Sequence, residues 1–140
     1  MKAFNSLLLV FSPMLLAGLV VGLTGCGEAA VAGKPELPLS VSPGWTQKSF
    51  AHVDPPAGLP GGQKVECWKA EYAGIGTAGV WTCGYAAESG AFDAAQRFAS
   101  GADRVKFQSG KYLVIVEWNG GSRAEVTALV RALQKSLPAK

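Results

Sequence analysis

The sequence predicts an α+β domain: an antiparallel sheet of four to five strands built from two ββα units, with the helices packed on one face. Three observations carry that expectation. Two β-rich runs, Val65–Tyr72 and Ala78–Tyr85, flank Gly74-Ile75-Gly76. Two further alternating runs meet at Ser109-Gly110. Each pair is followed by a stretch of helical period, one near Phe92 and the other near Leu129.

In chain order, Gly44-Trp45 to His52 reads as a short edge strand carrying Trp45 and Phe50. Val53–Gly62, rich in Pro and Gly, is irregular. The first hairpin has a register that its cysteines suggest. With Cys67 opposite Cys83, Tyr72 meets Ala78, Ala70 meets Val80, and Ala73–Thr77 closes the loop. Trp68, Ala70, Tyr72 and Val80 then share one apolar face. Ser89 opens a short helix with Phe92, Ala95, Phe98 and Ala99 at helical spacing and Gly101 as C-cap. In the second hairpin Val105 and Phe107 lead into the turn, and Tyr112, Val114, Val116 and Trp118 lead out. Leu113 and Ile115 on the opposite side mark that last strand as central and covered on both faces. The final helix carries a capping-box pattern, Ser122 with Glu125, and an apolar stripe through Val126, Leu129, Val130, Leu133 and Leu137; Pro138 ends it.

Ahead of the domain the chain reads as leader and tether. Met1–Ser6 carries one charge, Lys2, and Leu7 to Val21 is uncharged and apolar apart from breaks at Pro13 and Gly18. A charged start, an apolar middle and small residues before a cut describe a secretory signal peptide. A membrane span needs about 20 apolar residues, and this run is interrupted and has no basic cluster after it. The closing residues Leu23-Thr24-Gly25-Cys26 resemble the lipobox of bacterial lipoproteins, in which Leu, a small residue, Gly and Cys stand in that order. The resemblance implies diacylglycerol transfer to the Cys26 thiol, cleavage before Cys26, and acylation, as with palmitate, of the new amino terminus. Residues 1–25 are then the signal peptide, 26–43 the lipidated N-terminus and a flexible Ala-, Gly- and Pro-rich linker, and 44–140 one small domain. The expected location is the cell envelope, anchored to the cell membrane or outer membrane and facing the periplasm or exterior. Gly27, where an Asp resembles an inner-membrane retention signal, leans toward the outer membrane.

Cys26 also simplifies the cysteine count. Once it is lipidated, Cys67 and Cys83 remain as a pair in an oxidising compartment, which favours a disulfide. Their spacing is not CxxC, and the single histidine, His52, does not complete a zinc set with them. No metal or cofactor is implied. The formal charge of +3 falls to +2 without Lys2, and no Lys/Arg stripe forms, so a nucleic-acid partner is not expected.

No catalytic constellation stands out. His52 and Asp54 lie two apart in a loop, and neither a G-x-S-x-G elbow nor an S-x-x-K pattern occurs. Glu66 and Glu71 should face opposite sides of a strand. The aromatics are more suggestive: Trp81, Tyr85 and Trp68 are candidates for contact with a protein, glycan or apolar ligand, although packing explains most aromatics in a domain of this size. Trp81 lies on the cysteine face beside Lys69. The leading expectation is a tethered, non-catalytic binding or assembly module. The alternatives are a small envelope hydrolase with its site near His52 and Asp54, or a lipid or small-ligand carrier. Val80–Gln134 is also similar in outline to uncharacterised exported bacterial domains with an aromatic-rich hairpin and a closing Arg-Ala-Glu helix, which contribute no active-site motif.

Overall fold

The computed structural model describes Gly27 and residues 29–138; the leader and Cys26 lie outside the described residues. Within them, six strands form one antiparallel sheet curled into a half-barrel: β1 (Ser40–Val41), β2 (Trp45–Val53), β3 (Glu66–Ala73), β4 (Thr77–Gly84), β5 (Arg104–Ser109) and β6 (Tyr112–Asn119). Two helices, α1 (Glu88–Arg97) and α2 (Arg123–Ser136), complete it. The spatial order is β1-β2-β3-β4-β6-β5.

This corrects the expected architecture. The sheet has six strands, not four or five, and the ββα segments are not separate units, because β4 of the first pairs directly with β6 of the second. The helices do not share a face either. Residues alternate sides along a strand, so β6 sends Tyr112, Val114 and Val116 toward α2, and Leu113 and Ile115 toward α1. A strand buried on both faces needs a cover on each, and one helix supplies each cover.

The β3–β4 hairpin has the register its cysteines suggest: Cys67 faces Cys83, Ala70 faces Val80, and Tyr72 faces Ala78. Ala73 and Thr77 also pair, which shortens the loop to Gly74-Ile75-Gly76. Cys67 and Cys83 are joined by a disulfide. The Ser122–Glu125 capping box is present: Ser122 Oγ accepts from the Glu125 amide, and Glu125 Oε2 accepts from the Ser122 amide.

α1 is rotated from its expected phase. Ala91, Ala94 and Phe98 are buried, whereas Phe92 is 55% exposed. The physical reason is space. The helix lies against β5 and β6, in the cluster that holds Leu113, Ile115 and the disulfide, where alanines permit close approach, so the larger ring points out.

The segment assigned by composition to a flexible linker is ordered from about Ala32. Its amide donates to Tyr85 O at 3.0 Å, Tyr112 Oη donates to Gly33 O at 2.7 Å, and Tyr72 Oη donates to Pro38 O at 2.7 Å. Pro35 is buried. Residues 32–39 therefore form a strap across the α2 face. Gly84 permits it: a Cβ there would sit 2.6 Å from Ala32 O. The strap has no helical or alternating period because tyrosine hydroxyls and single amides hold it.

Candidate functional site

The α2 face is built around Trp45, Tyr72, Val80, Val114, Val116, Leu129 and Leu133, all nearly or fully buried. Trp45 Nε1 donates to Glu125 O at 3.0 Å and ties β2 to the first turn of α2. The face is not closed all the way to its β5 edge. Between α2 and the ends of β5 and β6 lies a groove of about 540 Å³. Its floor is apolar, formed by Val105, Trp118, Val126 and Val130, and its α2 wall carries Arg123 and Arg131.

Local sequence accounts for each part of the groove. Arg123, Thr127 and Arg131 recur every four residues and so follow one side of α2, beside its buried stripe of Val126, Leu129 and Leu133. Trp118 is the last aromatic of an alternating strand, half-buried beyond the point where Val116 is fully covered. The third arginine at the groove, Arg104, is occupied: its Nε donates to Glu117 Oε1 at 2.6 Å. Arg123 and Arg131 make no ion pair among the described residues.

The sequence candidates are distributed differently. Trp81 is half-buried on the opposite face, with Lys69 Nζ 4.3 Å from its ring centroid. Lys69 also pairs with Glu71 at 2.6 Å. Gly79 leaves room for this stack, since a Cβ there would lie 3.1 Å from the Lys69 side chain and 3.2 Å from the Trp81 ring. The resulting hollow, about 240 Å³, is shallow and mainly polar in its residues. Tyr85 and Trp68 are buried and present little surface to a ligand. Trp68 packs edge-on against His52, with centroids 5.8 Å apart. The cysteine pair is fully buried beneath α1.

His52 pairs with Glu66, Nε2 to Oε2 at 2.5 Å, and not with Asp54. Both side chains are open to solvent, and no hydroxyl or thiol joins them among the described hydrogen bonds. Val53, at the end of β2, and Leu59, in the loop that follows, pack against the cluster around the disulfide. No cluster of three or more His, Cys, Asp or Glu suited to a metal occurs among the described residues.

Burial raises the Tyr72, Tyr85 and Tyr112 pKa values above the ordinary tyrosine value of 10.0, because it penalises the charged phenolate. The Asp93 charge adds to the effect at Tyr85, and the Gln47 hydrogen bond partly offsets it at Tyr72.

No family model matches this chain. Searches of the curated proteins and of solved structures give no match either. The geometry of the groove is therefore the main guide to function. No local pattern marks the whole groove in the sequence, because its parts come from β5, β6 and α2 and meet only after folding. The four-residue spacing of Arg123, Thr127 and Arg131 is the one local sign that was available.

Proposed function

We propose that the chain is an exported, lipid-anchored envelope lipoprotein whose domain acts as a non-catalytic binding module. The anchoring half rests on Leu23-Thr24-Gly25-Cys26 at the end of an apolar leader. No helix among the described residues is long and apolar enough to cross a membrane. The binding half rests on one observation, the groove beside α2, where an apolar floor meets two arginines that make no ion pair among the described residues. Binding sites for small molecules typically combine such a floor with a few placed polar groups, in volumes of roughly 300–1,000 Å³.

The docked strap changes what the anchor would do. About six residues then separate Cys26 from Ala32, and a fully extended chain covers at most about 3.6 Å per residue. The domain would be held within roughly 20 Å of the lipid, a shorter reach than a free linker to residue 43 would give. The end carrying Ala32, Tyr85 and the Gly110-Lys111 turn would face the bilayer. The Arg123 end of the groove would face away from it, accessible to a ligand arriving from the aqueous side.

Cys26→Ala tests the anchor. The wild-type chain should partition into detergent and migrate as a processed, acylated species. The variant should retain its leader or lose detergent partitioning. Identical partitioning and mobility for the two proteins would refute lipidation at Cys26.

A further inference from the structure

We propose that the groove between α2 and the β5–β6 edge is a binding site for an amphipathic organic carboxylate, with its apolar body on Trp118 and its carboxylate on Arg123 or Arg131. The inference deepens the binding-module reading by naming a ligand class, and it does not depend on the anchor.

Val105 and Trp118 on the sheet and Val130 on α2 are half-buried, and with the rim of the buried Val126 they line the groove as an apolar surface. A purely apolar occupant would satisfy that floor but make no use of the guanidinium groups. A purely polar anion would engage the arginines and leave the floor wet. An apolar ring or chain bearing one carboxylate satisfies both.

Arg123 and Arg131 are two helical turns apart, about 12 Å along the axis at 1.5 Å per residue, so they bracket the groove lengthwise. Guanidinium is suited to a carboxylate because its planar fork donates two parallel N–H groups. Glu117 is engaged by Arg104, and no carboxylate lines the groove itself among the described residues, so Arg123 and Arg131 are left for a ligand. The opposite-face hollow at Trp81 lacks this combination, because its lysine is held by Glu71.

The test uses 2-naphthoate and its neutral isostere, 2-naphthamide, titrated into the exported chain as cells produce it. Binding is followed through the Trp118 indole N–H and the Val126 and Val130 amides by NMR. Naphthoate should shift these resonances and bind more tightly than the amide. Arg123→Gln combined with Arg131→Gln should weaken naphthoate about tenfold or more while leaving the amide unchanged, as expected for loss of a charge-assisted hydrogen bond. Thr127→Trp, an exposed helix position at the groove, should block both probes while leaving the far-UV spectrum intact. Equal affinity for acid and amide, full naphthoate affinity in the double variant, or no shift at the groove would each overturn the proposal. A response to a glutamate-rich peptide but not to naphthoate would also overturn it, in favour of a peptide groove. Because the titration is read at the groove whether or not Cys26 is acylated, its failure is distinct from failure of the anchor.

Discussion

The two faces of the sheet are made by the same strands and closed by different means. On one face, α2 and the strap of residues 32–39 cover a continuous apolar core that reaches from Val41 and Trp45 to Leu137. On the other, α1 and the loop after β2 cover a smaller cluster centred on the Cys67–Cys83 disulfide, Leu113 and Ile115. Beyond α1 that second face is polar, with Lys69, Glu71 and Glu117 beside Trp81. Alternation along a strand gives each face its residues, but it does not determine how far a cover extends. The exposed surface follows from the covers: an open polar hollow where α1 stops, and an arginine-walled groove where α2 falls short of β5.

If the α2 face carries most of the stability, deletion there should cost the most. Leu129 is fully buried at its centre. Leu129→Ala removes apolar contacts and leaves a cavity, a change that costs about 3–5 kcal/mol. Chemical denaturation should show the loss as a lower midpoint with little change in slope. A cost below about 1 kcal/mol would mean that α2 is only loosely docked and that the comparison is drawn the wrong way round.

The smaller cluster depends more on a covalent link. Closing a loop of about 16 residues is worth roughly 3 kcal/mol in chain entropy. Cys67→Ala with Cys83→Ala should therefore lower stability by about that amount, and hydrogen exchange should quicken first in α1, which shares the disulfide's apolar cluster. Equal acceleration in α1 and α2 would show that the two clusters unfold as one unit and that the link serves the whole domain.

The same contrast explains what could be read from the sequence. The β3–β4 register, the two-sided burial of β6 and the capped start of α2 were legible, because each depends on residues close together in the chain or on strict alternation. Strand count and helix placement were not. β1 is two residues long, and its pairing depends on the strap reaching Gln47 and Tyr72. The side on which a helix lands is also invisible to a pattern that marks β6 as buried on both. Phe92 misled the phase of α1 because hydrophobicity ranks it above alanine, whereas proximity to the disulfide selects Ala91 and Ala94. At the candidate site, Trp81 was legible as a surface aromatic beside Lys69, but Tyr85 and Trp68 are taken up by packing, and the Trp118 groove is assembled across long sequence separations.

Single hydroxyl groups give the finest resolution of the two faces. Tyr112 Oη donates to Gly33 O on the strap side, whereas Tyr85 Oη, buried on the disulfide side, has no hydrogen-bond partner among the described residues. Removing a satisfied hydroxyl costs about 1 kcal/mol and leaves a carbonyl to be resolvated, while removing an unsatisfied one is nearly neutral or stabilising. Tyr112→Phe should therefore destabilise by about 1 kcal/mol and quicken exchange at the Ala32 amide, with Tyr85→Phe costing less than that. The pH dependence gives a second reading of the same groups. A tyrosine whose folded pKa is raised contributes stability that is present below its unfolded value near 10 and is lost as pH rises through the folded value. Wild-type stability should thus decline above pH 10, and each Phe variant should decline less steeply there. If Tyr85→Phe proves the more costly of the two at neutral pH, the phenol on the disulfide side has a polar role, and the division between a strap held by hydrogen bonds and a cluster held by packing and sulfur would have to be redrawn.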